Sequence, residues 1–301
     1  MSESETIALI GFGEAGQNVA AGFANRPDVA LRTYDIRFDD PRDDLKSRTE
    51  AFGVRACASS AEGVDGAGIV FSFVVGSQAV AAARTAAPSL KPGQLYIDCN
   101  SVSPGTKKAV GEALEGTGCH YVEAAVMAPV PPYRHEVPIL LAGPEARAVA
   151  ERLNAIGMRC EEAGSEIGQA SLNKMLRSIM IKGIEALLFE SMAVAQKYGI
   201  EERILDSVAE TLPGLDWRQL TTYDLGRIAI HGVRRASEMK ESAATVAECG
   251  FDPIMAEAIS RRIYKAHALI GNHDWPHGEP RDYKEIFAVL NARLAAKGGS
   301  E

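Results

Sequence analysis

Thr6-Ile7-Ala8-Leu9-Ile10-Gly11-Phe12-Gly13-Glu14-Ala15-Gly16-Gln17-Asn18-Val19-Ala20-Ala21-Gly22-Phe23-Ala24 sets an apolar run, a glycine-rich turn and a helix-forming run in immediate succession. The order predicts a strand, a tight turn and a helix whose N-terminus faces that turn. In such a unit Gly11 permits the turn, Gly13 leaves the backbone open to a pyrophosphate, and Gly16 lets helix and strand approach, with the helix N-terminus facing the phosphate charge. Gly11, Phe12, Gly13, Glu14, Ala15 and Gly16 are therefore candidate cofactor-binding residues. A second apolar run, Ala30 to Tyr34, ends at Asp35, nineteen residues after Gly16, where a carboxylate can accept hydrogen bonds from an adenosine ribose. The pattern implies a nicotinamide dinucleotide. The charge of Asp35 favours NAD by repelling a 2′-phosphate, while Arg37 and Arg42 follow closely and leave NADP open.

Outward from this unit, the chain alternates short β-type runs with helical stretches as far as about residue 164. Candidate strands are Ile7 to Ile10, Leu31 to Tyr34, a weaker Val54 to Cys57, Ile69 to Val74, Leu95 to Asp98, Tyr121 to Val126, Ile139 to Leu141 and Met158 to Glu161. Helical patterns at Gln78 to Ala87, Thr106 to Leu114 and Glu145 to Ile156 separate several of them. This alternation predicts a parallel sheet covered by helices, a doubly wound Rossmann-type α/β domain over residues 1–164. After Gly164-Ser165 the period changes. From Ile167 to about Tyr198 no proline occurs, and Ala170, Met175, Ile179, Ile184, Leu187, Leu188, Met192 and Ala195 keep near-helical spacing. One very long helix ending at Gly199 is expected, then helices around Arg203 to Leu212, Asp224 to Val246, Pro253 to Leu269 and Tyr283 to Ala296, giving an all-α domain over 165–301. A long helix apolar around much of its girth needs cover, which points to a homodimer through the helical domain.

Composition narrows the class. The 301 residues are 46% hydrophobic and 24% charged with net charge -8, which suits a soluble two-domain protein and argues against a nucleic-acid surface. No long apolar span suggests a membrane segment, and Met1-Ser2-Glu3-Ser4-Glu5 has no signal-peptide character. Cys57, Cys99, Cys119, Cys160 and Cys249 are scattered without metal-like spacing and read as reduced thiols of a cytoplasmic protein. His273-Asp274-Trp275-Pro276-His277 is read as a loop or lid, because Pro276 breaks the helical face that two ligands would share. No metal site is expected.

Three segments together resemble the β-hydroxyacid dehydrogenase family, which includes 3-hydroxyisobutyrate and 6-phosphogluconate dehydrogenases, over nearly the whole chain. They are the Gly11 to Gly16 loop with Tyr34-Asp35, the run Ile97-Asp98-Cys99-Asn100-Ser101-Val102-Ser103-Pro104, and Gly168-Gln169-Ala170-Ser171-Leu172-Asn173-Lys174. The resemblance implies a substrate-binding segment at the second and a catalytic lysine, Lys174, at the third. Strands of an open parallel sheet deliver functional groups at their carboxyl ends, where Asn100 and Ser101 fall. Ser101 can bond a substrate hydroxyl or carboxylate, and Asn100 can hold the nicotinamide or the loop. Alcohol oxidation requires removal of the hydroxyl proton, which a lysine can accept once its pKa is lowered toward neutrality. Val74-Val75-Gly76-Ser77 follows a strand and, by the same resemblance, lies along the cofactor.

The departures from the family pattern bear on substrate. Ser178 stands where an asparagine generally assists the lysine, and Ile181 where phosphogluconate-type enzymes place a glutamate, which disfavours decarboxylation by that route. A Ser-Gly-Gly segment is replaced within Glu123-Ala124-Ala125-Val126-Met127-Ala128-Pro129-Val130-Pro131-Pro132, altering the usual carboxylate grip around Met127. Tyr133, Arg134 and His135 border the expected pocket by position. In the C-terminal half His231, Arg234 or Arg235, and Glu238 share a helical face and form a candidate substrate clamp. The expected function is hydride transfer between NAD(P) and a small polar hydroxy acid or sugar-acid-like substrate. Lys174 is the general acid/base, with Ser101 and Ser178 in support. An imine reductase of the same plan and a non-catalytic NAD(P)-binding regulator are the rival readings.

Overall fold

Apolar runs that are continuous rather than alternating need cover on both faces, and the first half of the chain supplies it by winding helices to either side of one sheet. The computed structural model describes residues 5–24 and 26–298. In chain order the elements are β1 (Glu5–Ile10), α1 (Glu14–Phe23), β2 (Val29–Tyr34), α2 (Leu45–Ala51), β3 (Arg55–Ala56), α3 (Ser60–Val64), β4 (Ile69–Ser72), α4 (Ala79–Ala86), β5 (Leu95–Asp98), α5 (Pro104–Ala113), β6 (His120–Val126), α6 (Val130–Tyr133), β7 (Pro138–Ala142), α7 (Ala146–Ala155) and β8 (Arg159–Gly164). The sheet order is β3-β2-β1-β4-β5-β6-β7-β8. Successive residues of a strand feed opposite cores. Ile7 and Leu9 join Phe71, Ile97 and Val122 beneath α1 and α7, whereas Ala8 and Ile10 join Val70 and Tyr96 beneath α4 and α5.

The parallel sheet that the alternation predicts has one antiparallel pairing, at its far edge. β7 runs antiparallel to β6, and β8 follows β7 in parallel. Between β6 and β7 the chain makes only the single-turn α6 and a 3-10 turn at Arg134–Glu136, too little for the crossover that parallel pairing needs. The order reverses at β1, whose neighbours are β2 and β4, and the crevice at their carboxyl ends is the usual ligand position of such a sheet.

The remaining elements are α8 (Gln169–Lys197), α9 (Glu201–Thr211), α10 (Trp217–Glu248), α11 (Ile254–Ile270) and α12 (Tyr283–Gly298). The long helix starts at Gln169 rather than Ile167, because Gly168 holds a left-handed φ of 110°. At its other end Gly199, φ 65°, stops it where the sequence suggests. The helix expected from Asp224 begins earlier, at Trp217, where the Asp216 side chain accepts the Gln219 N–H at 3.0 Å. By compactness the chain divides into two units between Lys174 and Met175, within α8. The first turn of α8 is bonded to the sheet. The second unit has its own core, including Phe189, Met192, Leu225, Ile228, Met239, Ile263 and Phe287. No described helix is long and apolar enough to cross a membrane.

Candidate active site

The three glycines of the first turn differ in what demands them. A Cβ on Gly11, at φ 90°, would lie 2.6 Å from the Phe73 carbonyl oxygen, and one on Gly16 would lie 2.6 Å from the Gly11 carbonyl oxygen. The fold requires both to be bare. A Cβ on Gly13 would meet nothing within 4 Å. The fold does not require it to be bare, and it opens on a cavity of about 410 Å³ that Tyr34, Asp35, Val74 and Val75 also line. Gly13 is the N-cap of α1 and contributes no side-chain cap, so an anion can take the helix N-terminus. Asp35 is fixed at the end of β2: its Oδ2 accepts the Phe12 N–H at 2.7 Å and its Oδ1 the Arg37 N–H at 2.9 Å. Each oxygen keeps a lone pair for a ribose hydroxyl. Ile36 and Val75, both largely exposed, add apolar walls to the same cavity. The residues fit a dinucleotide. Because backbone meets the Gly16 position, Gly16→Ala is expected to destabilise the protein by about 1–3 kcal/mol, read by denaturant unfolding; an unchanged midpoint would contradict this packing.

The strand ends next to the cavity are tied together by one side chain. Asn100 accepts the Val74 N–H on Oδ1 at 2.7 Å and donates from Nδ2 to Ser72 Oγ at 2.9 Å, while its own N–H donates to Asp98 Oδ1 at 2.9 Å. Of the two roles open to Asn100 in the sequence, its side chain fills the loop-holding one. Gly76 closes against the following loop, where a Cβ would lie 2.9 Å from Val102 and 3.4 Å from the Ser101 carbonyl oxygen. The loop after β4 therefore lies against the Asn100-Ser101 segment after β5.

Beneath this loop lies a buried polar group. Lys107 of α5, 1% exposed, places Nζ 3.1 Å from Asp98 Oδ2 and donates to the Asp98 and Ala124 carbonyl oxygens at 2.7 and 3.4 Å. The Tyr121 hydroxyl donates to the Lys107 carbonyl oxygen at 2.9 Å. Glu123, also buried, accepts the Ala170 and Ser171 N–H groups on Oε1 at 2.6 and 3.1 Å, and the Ser171 hydroxyl donates to Oε2 at 3.4 Å. Burial pushes the Glu123 carboxyl above the usual carboxylate range, opposed by the Lys107 ammonium and the amides of the α8 turn. One turn on, half-buried Lys174 is near enough to Cys99 for its charge to pull down a thiol that burial holds well up. The turn that carries Lys174 is thus bonded through Glu123 to β6, the strand beside β5. Met127 packs with Ala125 and Ala170 at the same turn, but its N–H donates to the Pro138 carbonyl oxygen at 2.8 Å and is not offered to a carboxylate.

Other sequence-selected residues are placed differently. The His135 ring packs on Phe23 of α1, centroids 4.7 Å apart, with Gly22 bare where it lies. In the second unit Arg235 of α10 is buried and donates from Nε to Glu185 Oε2 of α8 at 2.9 Å. Its guanidinium already has a carboxylate. Glu238 bonds Lys182 Nζ at 2.8 Å, and exposed Arg234 stands 4.0 Å away from its other oxygen. Burial lowers the Lys182 ammonium's pKa, and Glu238 opposes the shift. His231 and Ser178 are half-buried. Sequence reasoning passed over Lys107, Glu123, Lys182 and Glu185; the available signal was a charged residue on an otherwise apolar face.

A family model described as the NAD binding domain of 6-phosphogluconate dehydrogenase matches residues 6–164, and a domain of unknown function (DUF1932) matches residues 195–265. The solved structure of a conserved hypothetical protein from Sinorhizobium meliloti 1021 is 45% identical, covers 97% of each chain and superposes with a TM-score of 0.79. L-threonate dehydrogenase of Cupriavidus necator is 28% identical, with 71% of this chain and 72% of that protein covered. The fold is shared with 3-hydroxyisobutyrate dehydrogenase of Mycobacterium tuberculosis, at 17% identity and a TM-score of 0.74 over 96% of this chain and 99% of that one.

Proposed function

The chain belongs to the 3-hydroxyacid dehydrogenase-like family, with the NAD binding domain of 6-phosphogluconate dehydrogenase and a divergent C-terminal half, and we propose that it oxidises or forms the hydroxyl-bearing carbon of a small polar hydroxy acid or sugar acid. It is an NAD(P)-dependent dehydrogenase of the β-hydroxyacid type. The observation that carries the proposed chemistry is the pinning of the Lys174 turn, through Glu123, to the strand ends that bear Asn100 and Ser101. With its pyrophosphate held at Gly13 and its adenosine ribose at Asp35, a bound dinucleotide would supply the hydride acceptor or donor through its nicotinamide. Lys174 takes the hydroxyl proton during oxidation and returns it during reduction. Ser101 orients the substrate, Asn100 keeps the Val74 loop against it, and Ser178 follows Lys174 one turn along the helix as a supporting hydroxyl. Met127, His231, Arg234, Arg235 and Glu238 remain the proposed substrate contacts. Among the last four, Arg234 presents the more exposed cation and Arg235 acts with Glu185.

The test is a panel assayed with NAD and NADP: L-threonate, 3-hydroxyisobutyrate, L-serine, other sugar acids and amino alcohols, with a cyclic imine as the competing arm. Reduction of cofactor by a hydroxy acid supports the reading. Turnover of the imine alone, or tight cofactor binding with no turnover, would replace it. NAD is expected to bind in preference to NADP, since Arg37 is held by Asp43 at 2.6 Å and Arg42 by Asp40 at 2.9 Å. Fluorescence titration with NADH and NADPH checks this, and tighter NADPH binding would contradict it. Support for the proposed homodimer through the helical domain comes from Met180, Leu187 and Val194, spaced by seven residues along α8 and 69%, 65% and 58% exposed. The five free thiols suit a cytoplasmic setting.

A further inference from the structure

We propose that Lys107 and Glu123 are positioning residues for the reaction, a buried cation and a buried carboxylate that together fix the Lys174 turn of α8 to the strand ends carrying Asn100 and Ser101. The inference rests on the reading of Lys174 and Ser101 given above. A lysine 1% exposed is costly unless its ammonium is fully engaged, and an apolar side chain would fill the same space under the sheet without that cost. What Lys107 adds is a tie. It grips the carboxylate and carbonyl of Asp98, the last residue of β5, and the carbonyl of Ala124 in β6. Asp98 passes that tie to the Asn100 N–H. Glu123, next to Ala124, passes it to the Ala170 and Ser171 N–H groups.

A helix N-terminus can be capped by serine or asparagine with no buried charge. Here the cap is a buried carboxyl group of β6, whose hydrogen bonds in the ionised form are roughly twice as strong as neutral ones. The groups facing Glu123 are Lys107 from α5, Tyr121 from its own strand, and the amides and Ser171 hydroxyl of the α8 turn. Among the charged groups acting on Glu123, Lys107 is the cation that favours its ionised form. Without that cation Glu123 takes up a proton more readily, its two oxygens no longer accept all three donors, and the Lys174 turn loosens.

The experiment compares Lys107→Met, Glu123→Gln and the double variant. Lys107→Met is expected to lower kcat at neutral pH by about 10- to 100-fold while NADH affinity stays near wild type. Its acidic limb should move up by about one pH unit, with activity partly recovered as pH rises. Exchange of the Ala170 and Ser171 amides should quicken by about tenfold or more. In the Glu123→Gln background the same Lys107 change should leave the limb in place and lower kcat no further, which separates a path through Glu123 from a direct effect on Lys174. If Lys107→Met does not fold, Lys107→Met with Asp98→Asn restores the charge balance and is read the same way. Wild-type exchange at Ala170 and Ser171, an unmoved limb, or losses that multiply in the double variant would overturn the proposal. Exchange decides the coupling even if no acid in the panel is turned over, so its failure is distinct from failure of the dehydrogenase reading.

Discussion

Lys174→Ala is expected to lower kcat on the best hydroxy acid by about 10²- to 10⁴-fold, the range of a positioned general acid/base. The proton on the substrate hydroxyl must leave as hydride moves, and in the proposed site Lys174 is the side chain on the pinned helix turn that can take it. The loss should fall on kcat rather than on cofactor binding, because the dinucleotide cavity is built from the Gly11 to Gly16 turn, Asp35 and the Val74 loop. Lys174 is half-buried and not a member of a hydrophobic core, so the thermal midpoint should stay near wild type. Lys174→Arg should also fail, since guanidinium keeps its charge but does not release a proton at working pH. Steady-state kinetics with NADH titration and a thermal melt on each variant check all three statements. Wild-type turnover by Lys174→Ala would remove the amine from the chemistry.

Gly13→Val is expected to weaken NADH binding on the order of a hundredfold, equivalent to about 2.7 kcal/mol, with stability nearly unchanged. The two halves of that expectation have separate origins. Beyond its own chain neighbours the added Cβ meets nothing within 4 Å, so the folded chain has room for the side chain. The same space is where a pyrophosphate must approach the backbone at the start of α1. Gly16→Ala inverts the pattern, because its Cβ meets the Gly11 carbonyl oxygen and the cost falls on folding. Fluorescence titration and denaturant unfolding on both variants separate the roles. Equal destabilisation by the two substitutions, with NADH binding retained in Gly13→Val, would mean that the bare position serves the fold after all.

Much of this was legible in the sequence because the determinants are local. The Gly11 to Gly16 turn, Asp35 at the end of β2 and the Asn100-Ser101 pair after β5 are set by spacing along one strand, turn and helix. The change from strand to helix periods marks the second half for the same reason. What spacing could not reveal depends on contacts distant in sequence. The direction of β7 is decided by a connection too short to cross the sheet, which a run such as Ile139 to Leu141 does not encode. The start of α10 depends on Asp216 as a cap, and polar residues between Trp217 and Asp224 hide the helix from an apolar count. Asp98, Lys107 and Glu123 look like ordinary charged residues until β5, α5 and β6 bring them together. Arg235 looked like a cation for substrate, and Glu185, fifty residues earlier, is its partner.

Transfer of deuterium tests the central claim most directly. Wild-type protein is given NAD and the best acid of the panel, labelled at the carbon bearing the oxidised hydroxyl, and the reduced nicotinamide is recovered and weighed by mass spectrometry. The account predicts deuterium on the nicotinamide at the wild-type rate of turnover and its near-absence over the same interval with Lys174→Ala. Unlabelled reduced cofactor from the wild-type protein, or equal labelling rates from the two proteins, would contradict it.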